Sequence, residues 1–176
     1  MDHRRRVISS IKDAEEMHSQ ILDAAIRTVA FLRNCNDDPM ALLKRLRFDL
    51  VGHDPLTGEP LNVVEQLNQT FTILATLKAV EELIKLHPDA GGYPLALGTC
   101  GGRDIESVEN GLVAAEVFSA THPNSNQKLR KEKDRLATDA SKYRYVFFAS
   151  PCFSAGRHKE LETPETGVHV YATEAL

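Results

Sequence analysis

The chain contains only three cysteines in 176 residues, Cys35, Cys100 and Cys152, an odd and widely spaced set without a C-x-x-C pair. That pattern excludes a zinc knuckle and a dithiol redox motif. The seven histidines are scattered and form no H-x-x-x-H pair, which argues against a histidine-based metal site. No apolar run approaches the roughly 18 residues of a membrane span. The basic start, Met1-Asp2-His3-Arg4-Arg5-Arg6, is followed by Val7-Ile8-Ser9-Ser10-Ile11-Lys12-Asp13 rather than by the apolar stretch of a secretory signal. The chain therefore reads as cytoplasmic, with no membrane partner. No internal repeat or low-complexity stretch occurs.

What is present is ordinary for a globular domain: 42% hydrophobic and 26% charged residues. The length fits one compact domain with room for an appended helical segment. The formal charge is −4, which argues against electrostatic coating of nucleic acid. It leaves room for a protein that holds a metal with carboxylates and touches DNA through a local basic patch.

Hydrophobic spacing divides the chain into a helix-rich half and a half of short β-rich runs. A first helix is predicted over 7–34, from Ile11, Ala14, Met17, Ile21, Leu22, Ala25, Ile26, Val29 and Leu32. A short helix begins at Asp38-Pro39, an N-cap followed by proline at the first helical position. Turn residues over 51–60 form a connector. A third helix is predicted over 62–87, capped by Asn62 with Glu65 three residues on, and ended by His87-Pro88. It is apolar over most of its surface, yet Glu65, Gln69, Thr72 and Thr76 share one narrow stripe. Either the stripe holds a capping glutamate with tolerated polar neighbours, or Glu65 and Gln69 point at a site.

Three strands follow, at about 93–99, 103–108 and 112–119, the last two joined by Glu109-Asn110-Gly111 as a hairpin. A charged helix over 125–140, a buried strand Tyr143–Ala149 and a final strand over 167–171 complete the order. The fold class is α/β. Residues 1–61 read as an N-terminal helical extension and residues 62–176 as the α/β core.

Charge is unevenly placed. From Asp104 to Gln127 there are four acids, Asp104, Glu106, Glu109 and Glu116, and no Lys or Arg. Lys128, Arg130, Lys131, Lys133, Arg135, Lys142 and Arg144 then outnumber Glu132, Asp134 and Asp139. A charged helix can simply be a solvated face. The acid in the middle of Leu112-Val113-Ala114-Ala115-Glu116-Val117-Phe118 is harder to dismiss. An unpaired buried carboxylate costs several kcal/mol, so Glu116 must be paired, protonated or bound to metal. Asp104 enters the same hairpin from its other arm. Two carboxylates on neighbouring strands suit a hard dication such as Mg²⁺. A glutamate paired with a core Arg or Lys is the competing reading.

The order helix, three strands, helix, strand over about 62–150 resembles the restriction-endonuclease-like nucleases, the PD-(D/E)XK group. The resemblance rests on Gly102-Arg103-Asp104-Ile105-Glu106-Ser107 and Ala115-Glu116-Val117-Phe118. It implies a restriction-endonuclease-like core, with Asp104 and Glu116 as catalytic metal ligands and Glu65 as the first-helix acid that some members carry. It also implies Mg²⁺, with Mn²⁺ as a substitute, and DNA as partner and substrate. The chain departs from the group where its Glu-x-Lys would place lysine, since Phe118 stands there. Some members carry that lysine on the following helix, which nominates Lys128 as the catalytic cation and Lys131 as second choice.

On this reading a metal-activated water hydrolyses a phosphodiester, with Lys128 offsetting charge in the transition state. Arg130, Lys131, Lys133 and Arg135 of the helix, with Arg157, His158 and Lys159, neutralise phosphates, so binding weakens steeply with salt. A homodimer is expected if the first helix pairs between chains rather than packing within one. The alternative is a non-cleaving member of the same fold that serves as a DNA-binding or protein-interaction module.

Other chemistries fit less well. The Leu97–Arg103 segment satisfies neither glycine-rich phosphate motif and reads as a tight bend delivering Asp104. Four residues separate Cys152 from Arg157, one fewer than the phosphate loop of tyrosine phosphatases needs. Cys100 has no neighbouring histidine to activate it and reads as a small loop residue.

Overall fold

A computed structural model describes residues 5–97 and 102–174. Its central helix, α3, runs Val63–Leu86, close to the predicted span. Asn62 Oδ1 accepts the Glu65 N–H at 2.8 Å and so satisfies one of the free donors of the first turn. Proline at position 88 stops the helix. Ile73, Leu77, Val80 and Leu83 of α3 are buried against one face of a seven-stranded mixed sheet.

In chain order, strand β1 (Arg5–Ile8) precedes helices α1 (Ile11–Asn34) and α2 (Pro39–Phe48). The two-residue strands β2 (Gly52–His53) and β3 (Pro60–Leu61) form a small separate hairpin before α3. Beyond α3 come β4 (Tyr93–Ala96), β5 (Ile105–Glu106), β6 (Val113–Ser119), helix α4 (Lys128–Ala137), β7 (Tyr143–Ala149), β8 (Gly156–Arg157) and β9 (Val168–Thr173). The sheet order is β1-β4-β5-β6-β7-β9-β8. β1, β4, β5 and β6 pair antiparallel in succession, β6–β7 and β7–β9 are parallel, and β8 runs antiparallel along β9. A parallel pair needs a long crossover, and α4 is the one between β6 and β7. The chain is thus mixed α/β.

Each face of the sheet has its own core. Val113, Ala115 and Val117 of β6 join the core under α1 and α3, while Ala114 and Phe118 join Leu129 and Leu136 of α4 on the other face. This alternation along the strand is the period-2 pattern of a sheet buried on both sides.

Several boundaries differ from expectation. The first helix starts at Ile11, not at residue 7: Ser10 Oγ accepts the Asp13 N–H at 3.3 Å, and Asp13 Oδ2 accepts those of Ser9 and Ser10 at 2.8 and 2.9 Å. This capping box frees Val7 and Ile8 to pair with Pro94 and Tyr93 of β4. The segment read as a helical extension therefore supplies an edge strand, and Ala14, Met17 and Ile21 of α1 lie in the same core as α3 and β4.

Helix α4 begins at Lys128 because Asn126 and Gln127, with φ of 54° and 58°, are left-handed and cannot continue a right-handed helix backwards. The hairpin expected at Asn110-Gly111 is present, with Ile105 opposite Ala115, but β5 has only two residues. β8 had no signal in the sequence. The bend expected over residues 98–101, with Cys100, lies outside the described residues, as does the extreme N-terminus. Among the described residues no helix is long and apolar enough to cross a membrane.

Gln66, buried on α3, ties the helical layer together. Its Oε1 accepts from Thr28 Oγ1 at 2.7 Å and from the His53 N–H at 2.9 Å, and its Nε2 donates to the Ala24 carbonyl at 3.2 Å. Leucine at this position would leave the His53 N–H without this acceptor and remove one bond each from Thr28 and the Ala24 carbonyl. Gln66→Leu should lower the unfolding free energy by about 2–3 kcal/mol in urea denaturation, while an exposed substitution such as Lys131→Ala leaves it nearly unchanged.

Candidate functional site

Glu116 sits in the middle of β6, opposite Val146 of β7, with 0% of its surface exposed. Strand alternation turns its side chain toward α4. There Arg135 Nη1 lies 3.2 Å from Glu116 Oε2 and 3.3 Å from Glu132 Oε2, and Arg135 Nη2 donates to the Gly102 carbonyl at 3.1 Å. Arg103 approaches the other oxygen, with Nη1 3.6 Å from Glu116 Oε1, while its Nη2 and Nε bind Asp139 at 2.7 and 2.8 Å. Lys128 pairs with Glu132 one turn along α4. Spacings of four and three set Lys128, Glu132 and Arg135 on one helix face, the face presented to β6.

Asp104 lies in the bend before β5, half-buried, and its Oδ2 accepts the Val117 N–H at 2.8 Å. It also lines a small cleft with Gln69, Thr72 and Thr76 of α3 and with Leu97. The polar stripe of the third helix is therefore the wall facing Asp104. Glu65 is exposed one turn back from that cleft and accepts a bond from Gln69 Nε2 at 3.3 Å. It is joined to the site only through Gln69.

Burial, first of all, and then the charge of Asp104 push the Glu116 carboxyl up from its ordinary 4.5 to about 8, against the pull of Arg135. Asp104 is raised as well, chiefly by burial, and the Val117 N–H opposes the shift. The two carboxyls titrate as a pair that keeps one proton near neutrality. Acids outnumber cations around the pair: Asp104, Glu116, Glu132 and Asp139 face Arg103, Arg135 and Lys128, and Glu106 also acts on Arg103. Glu116 Oε1 is buried with no hydrogen-bond partner. It is the oxygen free for that proton, or for a cation in its place.

Asp104 and Glu116 are the two carboxylates that could hold a divalent cation, since Mg²⁺ is commonly held by one or two carboxylates with water completing its shell, and Arg135 and Arg103 already stand against the Glu116 oxygens. Among the described residues no group of three or more His, Cys, Asp or Glu side chains is arranged to hold an ion, so the protein would supply two ligands at most.

The expected residues fare differently. The structure brings Asp104 and Glu116 together and puts Lys128 one carboxylate away, on Glu132. Phe118 is buried and stacks on Phe148 with ring centroids 6.0 Å apart, so it is part of the α4-side core. Arg135, expected at DNA, is in contact with Glu116, as is Arg103. Arg130 and Lys131 are exposed on α4. Lys133 donates to the Leu161 carbonyl and Thr163 Oγ1, at 2.7 and 3.0 Å. Arg157 lies on β8 at the far edge of the sheet and is clamped by Glu162 at 2.7 Å. Sequence reasoning missed Glu132 and the inward turn of Arg135, although the 128–132–135 spacing carried the signal.

Compared with protein-family models, with characterised proteins and with solved structures, the chain gives no match.

The raised Glu116 pKa has a definite sign in stability. The folded chain keeps a proton that the unfolded chain releases between about 4.5 and 8. The stabilisation is full below the lower value and is lost as pH rises through the upper one. In chelator-treated protein, melting temperatures should show the wild type losing stability over this interval relative to Glu116→Gln, which cannot ionise. Parallel pH profiles of the two proteins would contradict the assignment.

Proposed function

We propose that the chain is a Mg²⁺-dependent DNA endonuclease with a restriction-endonuclease-like core, hydrolysing phosphodiesters at the Asp104–Glu116 pair. The observation that carries this reading is a fully buried strand carboxylate, Glu116, with one oxygen that accepts no hydrogen bond, beside a second carboxylate that opens on a cleft. The supporting order is α3, the antiparallel strands β4, β5 and β6, then α4, then β7 parallel to β6.

Asp104 and Glu116 would hold Mg²⁺ or Mn²⁺. The bound ion's chemistry is polarisation of a phosphate oxygen and activation of water. The protein's own groups do the rest. Gln69, Thr72 and Thr76 line the approach to Asp104 with polar groups that can orient a sugar–phosphate backbone. Arg135, held between Glu116 and Glu132, offers a guanidinium to the charge that develops on phosphorus oxygens, the task assigned from sequence to Lys128. Lys128 keeps the Glu132 charge neutralised so that Arg135 is not fully claimed by it. Exposed Arg130 and Lys131 supply phosphate contacts on α4.

A second reading is a non-cleaving protein on the same scaffold that binds DNA or another protein. It is favoured by the contact of Arg135 with Glu116 at 3.2 Å, which can replace a metal altogether. Nicking of supercoiled plasmid in Mg²⁺ or Mn²⁺ separates the two. Wild type should nick, and Asp104→Ala and Glu116→Ala should each lose at least about 100-fold. Activity insensitive to both substitutions sinks the site, and salt-sensitive DNA binding without cleavage selects the second reading.

A further inference from the structure

Helix α1 carries two apolar stripes, and the fold covers one of them. Ala14, Met17, Ile21, Ala24 and Thr28, spaced alternately by three and four, are buried. Leu22, Ile26 and Val29 repeat that spacing along a line about 120° further round the helix, at 100° per residue. They are 52%, 56% and 42% exposed. The shallow groove along this line is lined by residues of α1 alone, between Leu22 and Asn34. Single exposed apolar side chains are ordinary, but these three fall on one line of a 24-residue helix, at the three-and-four spacing of a packed helix face.

Charge along the stripe indicates which helix. Glu15 lies on the same line toward the N-terminus and Arg33 toward the C-terminus, and both are exposed. The face is therefore complementary to itself when turned end for end. We propose that α1 packs antiparallel on α1 of a second copy of this chain, about a two-fold axis level with position 24. Leu22 of each helix then lies opposite Ile26 of the other, and Arg33 opposite Glu15. A parallel pair would bring Arg33 to Arg33 and Glu15 to Glu15. Antiparallel helices also set their dipoles favourably, and a two-fold contact is closed, so association stops at two. The inference uses nothing of the Asp104–Glu116 site and stands whether or not the chain cuts DNA.

Sedimentation equilibrium on the full chain tests it. Wild type should have twice the 19.5 kDa of one chain, and Ile26→Glu should sediment as 19.5 kDa. Ile26 is outside the core, so circular dichroism should give both proteins the same helix content and melting behaviour. Arg33→Glu should weaken the dimer at least about tenfold, and adding Glu15→Arg should restore it. A wild-type mass of one chain at every concentration, or an Ile26→Glu dimer as tight as wild type, overturns the contact. Failure of the double reversal to restore association overturns the antiparallel arrangement.

Discussion

A carboxylate at the centre of a fully covered strand is the constraint on which the rest of this site depends. Glu116 has no surface exposed, and water cannot reach it to solvate a charge. Three responses are open to such a group, and the protein uses two of them together. Arg135 and Arg103 come to its oxygens from α4 and from the bend before β5, and a proton is retained with Asp104. The two arginines alone do not complete the shell, since no donor hydrogen-bonds Glu116 Oε1. An apolar residue would pack there at lower cost, so the carboxylate is placed at the expense of stability. Such a placement is how functional sites commonly depart from rules that hold elsewhere in a fold.

The architecture explains how the site is assembled. The β5–β6 hairpin brings Asp104 to the backbone of Val117, one residue beyond Glu116, so hairpin register sets the carboxylate pair directly. The crossover from β6 to β7 lays α4 over the face that Glu116 points to, which puts Lys128, Glu132 and Arg135 against it. Helix α3 covers the opposite face and turns Gln69, Thr72 and Thr76 toward Asp104. Three layers thus converge on two adjacent side chains. The convergence comes from packing, and the charges are compensated locally after it.

Much of this was legible in the sequence, for identifiable reasons. The β7 boundaries, Tyr143–Ala149, are legible because an aromatic and β-branched run, interrupted only by Arg144 and ended by Ser150-Pro151, suits a strand buried on both faces. Asp38-Pro39 and Asn62 announced α2 and α3 because capping is local chemistry. Val7 and Ile8 fitted a helical spacing, and only their pairing with β4 made them a strand. Asn126 and Gln127 set the start of α4 through left-handed backbone, which asparagine favours but glutamine does not, so the exact boundary had little signal. At the site, Asp104 and Glu116 stood out because charge is rare within an apolar run. The partners did not stand out, since a basic helix looks alike whether its arginines face DNA or a buried acid. Lys133 and Arg157 illustrate the same limit: both are engaged by the protein's own loops, at Leu161 and Glu162.

On the function proposed above, Asp104 and Glu116 share one proton in the free protein and would exchange it for a divalent cation. Calorimetric titration with Mn²⁺ near pH 7, repeated in buffers of different ionisation enthalpy, counts the protons released on binding. About one proton should be released per ion, and Glu116→Gln should show neither that release nor the binding. Binding without proton release, or binding that survives Glu116→Gln unchanged, would contradict it.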